Sequence, residues 1–205
     1  MTEKTIDVLA IGNAIVDVIA REQDAFLAEN GLEKGRMRLI ESDEGERLYA
    51  AMGATVESSG GSAANTAAGI AGLGARVAFV GKEKDDPLGR IFAHALRSTG
   101  VATARCLVVV TPDAERTMAP SLGVSVTLGA ADVDEAQVAA AKVLFLEGYL
   151  WDSPSARDAC WKAIAVARLS ETKVALTLSD ALCVDRHREV LVKLIDGGWV
   201  DIMFW

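Results

Sequence analysis

Cysteine is scarce in this chain, and its placement excludes most of what cysteine does. The three residues, Cys106, Cys160 and Cys183, are odd in number, far apart and free of any CxxC pair. A disulfide framework and a zinc site of ordinary spacing are both excluded, which leaves packing as their role. Basic clusters are missing as well: 29 acidic residues face 21 basic ones, for a net charge of −8. A nucleic acid or an anionic membrane is therefore not the expected partner. No apolar run approaches the roughly 18 residues of a membrane helix. The run in MTEKTIDVLAIG is of strand length, too short for a signal peptide, so the cytoplasm is the expected compartment. Histidine occurs twice, His94 in a helical stretch and His187 in a charged run, and neither sits in a recognisable catalytic arrangement.

What is present is the balance of a globular protein, 51% hydrophobic and 24% charged over 205 residues. Short β-branched runs alternate with longer Ala-rich segments of helical period, the pattern of a parallel sheet covered by helices on both faces. Strands are predicted at 6–12, 76–81, 143–148, 173–179 and 200–205. Helices are predicted from Ser62 to about Leu73, from Asp86 with Pro87 in its first turn to about Ser98, from Ser153-Pro154 to about Leu169, and from Asp185 to Ile195. Two segments break the rhythm. AIVDVIAREQ and GRMRLIES read as short strands with a helix near 42–52 between them and the glycine stretch, and TARCLVVVTPDAERTMAP reads as a hairpin turning at TPDAE. A small β element beside an α/β body is the economical placement.

The stretch GGSAANTAAGIAGLG puts Gly60 and Gly61 before a helix whose face carries only small residues. Such a helix approaches a sheet or a ligand closely, and its first turn leaves backbone N–H groups bare for a polar or anionic group. Asn65 sits on that turn with both a donor and an acceptor. Tight helix-to-sheet packing, with Ser62 as a cap, is the alternative. GGSAA lacks the last glycine of GxSxG, GIAGLG has the glycines of a dinucleotide motif in the wrong order, and FVGKEK lacks the parts of a P-loop.

At the carboxyl end of the first strand, where open α/β sheets place ligands, GNAIVD supplies Asn13 and Asp17, suited to the hydroxyls of a polyol. Glu147 in FLEGYLWD follows an apolar run and is either exposed on a loop or paired in a cleft. Asp180, with Arg186 and Arg188, fits a phosphate or a surface ion pair equally well.

Together these residues resemble the ribokinase, or PfkB-type, carbohydrate and nucleoside kinases, above all their bacterial adenosine-kinase-like branch. The likeness is carried by DVLAIGNAIVDVIA, GGSAANTAAGIAGLGARVAFVGK with DDPLG, TARCLVVVTPDAERTM, LEGYLWD and LTLSDALCVDRHR. It implies a ribokinase-like three-layer α/β fold with a small β lid from segments 17–22, 36–40 and 104–118, and transfer of the ATP γ-phosphate to a hydroxymethyl group. By matching position it implies that Asn13, Asp17, Gly60, Gly61 and Asn65 bind the substrate and that Glu147 lies near the phosphate and metal path, with Asp180 in that vicinity. No residue of the chain matches the catalytic base. ATP and Mg²⁺ are implied as well, yet the family's Asn-x-x-Glu and GAGD segments, which follow the strand matching DIMF, have no counterpart here.

The expectation is one truncated ribokinase-like domain that binds a small sugar or nucleoside and lacks activity by itself. A non-catalytic binding or assembly module is the alternative. The apolar VDIMFW strand and the lid strands offer routes to a homodimer.

Overall fold

A computed structural model describes residues 3–83 and 104–205; the helix expected from Asp86 and the residue His94 lie outside the described residues. Along the chain run β1 (Ile6–Ile11), β2 (Ile15–Arg21), α1 (Asp24–Glu29), α2 (Ser42–Ala51), β3 (Thr55–Gly60), α3 (Ser62–Gly72), β4 (Val77–Val80), β5 (Ala104–Val110), β6 (Arg116–Ser121), α4 (Glu135–Ala140), β7 (Ala141–Glu147), α5 (Pro154–Leu169), β8 (Lys173–Thr177), α6 (Ala181–Asp196) and β9 (Ile202–Phe204). The chain divides into two compact units, Met1–Asn13 with Gly61–Gly81 and Val126–Trp205, and Ala14–Gly60 with Lys82–Ser125.

The first unit is an α/β fold on a parallel sheet of order β4-β1-β7-β8-β9. Its strands are apolar at nearly every position because both faces are buried. Leu9, Leu144 and Val174 lie in register across three strands, as do Ile11, Leu146 and Leu176. These rows face Ala156, Cys160, Ala163 and Ile164 of α5 and Leu191 and Leu194 of α6. The alternate row, Ala10, Phe145 and Ala175, meets Ala63 and Ala67 of α3. Small side chains on both sides of that contact bring α3 close to the sheet, since side-chain bulk sets the separation. The alanine stripe is therefore spent on packing.

Helix α6 begins at Ala181, four residues before the expected Asp185. Asp180 is its N-cap and accepts from the Cys183 N–H at 2.6 Å, which holds the first turn closed. β9 forms the sheet edge with Ile202 and Phe204 exposed. Among the described residues no helix is long and apolar enough to cross a membrane.

The second unit is a four-stranded sheet of order β3-β2-β5-β6, with β2 and β5 parallel and the other pairs antiparallel. β5 and β6 form the expected hairpin, its turn closed by Ala114 N–H donating to the Thr111 carbonyl at 2.8 Å. The strand expected at 36–40 is reduced to a fringe on β6. Met118 donates to Arg36, Arg38 to Met118, and Ile40 to Pro120. Pro120 has no N–H to return, so the ladder stops. β3, in contrast, is a polar segment that becomes a strand by pairing with β2 from Ile15 to Ala20.

Ala67→Leu forces bulk between α3 and the sheet and is expected to cost about 1–3 kcal/mol in urea denaturation. Leu73→Ala, at a position 89% exposed, is expected to change stability by no more than about 0.5 kcal/mol. Equal losses would contradict this packing.

Candidate active site

β7 ends on Glu147, a carboxylate only 1% exposed after the apolar run 143–146. Both its oxygens are engaged within the first unit: Oε1 accepts from the Asn13 N–H at 2.7 Å and Oε2 from the Ala63 N–H at 2.8 Å. The Asn13 side chain adds a hydrogen bond. Of the two readings open for Glu147, the paired one is found. The carboxylate joins the carboxyl end of β1 to the first turn of α3, whose N-cap, Gly61, has no side chain to do so. An anion is favoured at that place by the helix dipole and the orphan donors.

Burial pushes the Glu147 carboxyl up from 4.5 to about 7, against the pull of its hydrogen bonds. The folded chain keeps a proton there that the unfolded chain releases between those two values. This group therefore favours folding less as pH rises through that window.

Glycine makes the junction possible. At Gly12 a Cβ would overlap Ala63 and come within 2.9 Å of the Glu147 carboxyl carbon. Gly61 has φ +93°, and a Cβ on it would lie 2.6 Å from the Asn13 carbonyl oxygen. The glycine pair was expected to leave the helix-start amides bare, yet the Ala63 N–H is already taken by Glu147. Ser62 is not the cap that the packing alternative made of it; it is the first helical residue, and its carbonyl accepts from the Thr66 hydroxyl. Asn65 is exposed on the first turn, away from the alanine face, and Asn13 is buried.

Asp17 and Gly60 belong to the second unit and meet there: a side chain at Gly60 would sit on the Asp17 carboxylate. Asp17 is half-buried on β2, paired in register with Ser58 and Cys106. Burial raises its titration while Arg116 opposes the shift. The same burial, with Asp17 nearby, pushes the Cys106 thiol up to about 12.

Asp180 caps α6 through one oxygen and accepts the Tyr149 hydroxyl at 3.0 Å through the other. Arg186 makes its ion pair with Asp152, through two contacts of 2.9 Å, and His187 Nε2 stands 2.7 Å from the same carboxylate. Tyr149 and Gly12 were not singled out in the sequence. The only signal for either was its place directly after a strand. Among the described residues no group of three or more His, Cys, Asp or Glu is placed to hold a metal ion.

The pfkB family carbohydrate kinase model matches residues 6–204. An adenosine kinase from Sinorhizobium meliloti is 49% identical with a TM-score of 0.91, covering 97% of this chain and 64% of that one. A probable sugar kinase from Rhizobium etli is 45% identical with a TM-score of 0.92, covering 100% and 64%. Among curated proteins, the 5-dehydro-2-deoxygluconokinase of Shouchella clausii is 29% identical over 85% of this chain and 51% of its own length. The chain thus spans about half the length of the curated relatives it matches.

Gly61→Ala is expected to cost about 2 kcal/mol or more, from a strained φ and the collision with Asn13. Gly69→Ala, in the same helix with open space around it, is expected to stabilise by about 0.5–1 kcal/mol. Thermal unfolding of both variants checks the pair, and a harmless Gly61→Ala would show that the junction tolerates separation.

Proposed function

That the chain belongs to the pfkB carbohydrate kinase family is the premise from which we propose its function: these residues bind the alcohol that an ATP-dependent sugar or nucleoside kinase phosphorylates. The acceptor is adenosine-like. The likeness to the Sinorhizobium meliloti enzyme favours a nucleoside over the sugar acid named for the curated relatives. The observation that carries this reading lies at the carboxyl end of β1, where the Asn13 backbone and the start of α3 are drawn onto one buried carboxylate. Open α/β sheets take their ligands at that end of the strands.

In this reading the residues proposed to bind the acceptor are Asn13, Gly61 and Asn65 in the first unit and Asp17 and Gly60 in the second. A carboxylate such as that of Asp17 accepts from two hydroxyls at once. Glu147 and Asp180 stand in the vicinity of the phosphate and metal path, the one as a buried tie and the other as a helix cap. The family implies ATP and a divalent metal. The described residues do not gather a metal-holding cluster, and no GAGD segment occurs among the 205 residues. Phosphoryl transfer needs base, anion hole and metal together, so these residues by themselves bind and do not turn over. The cytoplasm is the compartment that suits this role. A second copy pairs through the open β9 edge or the β2–β6 sheet, a state that light scattering reads as a doubled mass.

A thermal-shift titration tests the reading. Adenosine at about a hundred times Kd is expected to add roughly 2.7 kcal/mol of stability, with ribose and 5-dehydro-2-deoxygluconate adding less. Asp17→Asn is expected to weaken adenosine about tenfold or more, the weight of a charge-assisted hydrogen bond. No shift with any of the three compounds would contradict the reading. With ATP and magnesium added, no AMP above background is expected, and measurable turnover would refute the statement that these residues do not act alone.

A further inference from the structure

Glu147 is fully buried and holds two backbone segments that its own strand does not touch by ladder bonds, Asn13 after β1 and Ala63 in α3. Each of its oxygens accepts from one backbone N–H, and the Asn13 side chain adds a further bond. We infer that Glu147 is a positioning residue: its carboxylate fixes the separation of the Asn13 backbone and the start of α3, and through them the fit of the acceptor alcohol. The inference rests on the substrate reading above and deepens it.

Two observations carry it. The segments are drawn so close that Gly12 and Gly61 have no room for a Cβ, so a shift of a few tenths of an ångström alters every contact at the junction. A carboxylate accepts from both amides with charge on either oxygen, whereas protonation turns one oxygen into a hydroxyl, a weaker acceptor. Protonation therefore loosens the hold on one of the two segments.

Among the described residues, the groups that act on the Glu147 carboxyl are amides. From the β1 end it meets the Asn13 backbone and side-chain amides, and from α3 the Ala63 N–H. Tyr149 beyond β7, Cys160 on α5 and Cys183 on α6 feel its charge, and burial with that charge pushes all three upward, Cys183 to about 12. They are neutral near pH 7. Among the described residues none of the groups acting on Glu147 is a Lys, Arg or His. With burial holding its titration at about 7, the junction changes state near neutrality.

Positioning and stability then respond to pH with opposite signs. Stability owed to this group falls as pH rises from 4.5 to about 7, while acceptor binding rises over the upper part of that range. The test uses the whole chain and two readouts. The amide proton shifts of Asn13 and Ala63 are followed by NMR from pH 5.5 to 8.5, and the Kd for adenosine is measured by calorimetry over the same range.

In the wild type both amides are expected to move with one shared midpoint near 7, and adenosine to bind about tenfold tighter at pH 8 than at pH 6, as one hydrogen bond is worth. Glu147→Gln is expected to abolish the shared midpoint and to bind at every pH about as weakly as the wild type does at pH 6. The wild-type titration needs no variant, so a misfolded Glu147→Gln decides nothing. Amides that titrate together in a protein that ignores adenosine would uphold the clamp and sink the substrate reading. Amides with no common midpoint, or Glu147→Gln binding with wild-type affinity and pH profile, would overturn the inference.

Discussion

One buried carboxylate holds the functional end of the first unit together. Without Glu147 the β1 end and the start of α3 would each present an unpaired N–H to the protein interior, a cost of about 1–3 kcal/mol apiece. Placing a charge there is expensive too, which is why its titration rises toward neutrality. The glycines on either side follow from this choice. A carboxylate can span the two amides only if the segments approach to hydrogen-bonding distance of the same group, and Gly12 and Gly61 leave the space for that approach. The alanine face of α3 and the small residues Ala10 and Ala175 beneath it extend the same closeness into the core.

Much of the first unit was legible in the sequence. Apolar runs such as those holding Leu9 and Ile11, or Leu144 and Leu146, announce strands buried on two sides, and the observed register aligns these residues in rows. The second unit was less open to reading. TVESSG carries no apolar alternation because β3 is an edge strand fixed by its pairing with β2, a contact nearly forty residues apart for Ile19 and Val56. The fringe at 36–40 has the composition of a strand, but the missing N–H of Pro120 lies on a different segment. Helix α6 starts early because one side chain, Asp180, closes its first turn.

The candidate site divides along the same line. Asn13, Asp17, Gly60, Gly61 and Asn65 could be picked out by residue type and by position after a strand. The partners of Glu147 could not, because they are backbone amides 134 and 84 residues away, and an amide leaves no mark in a sequence. For that reason the glycine pair, read as a bare helix start, is found with one of its amides already occupied. The helix start proposed to meet the acceptor thus has its shape set by a buried acid.

Mapping amide chemical shifts on adding adenosine to the 205-residue chain tests the central claim most directly. The account expects the largest changes at Gly12, Asn13 and Gly61 to Asn65, the residues tied to Glu147. Changes scattered over the surface, or none at these amides while adenosine binds elsewhere, would contradict it.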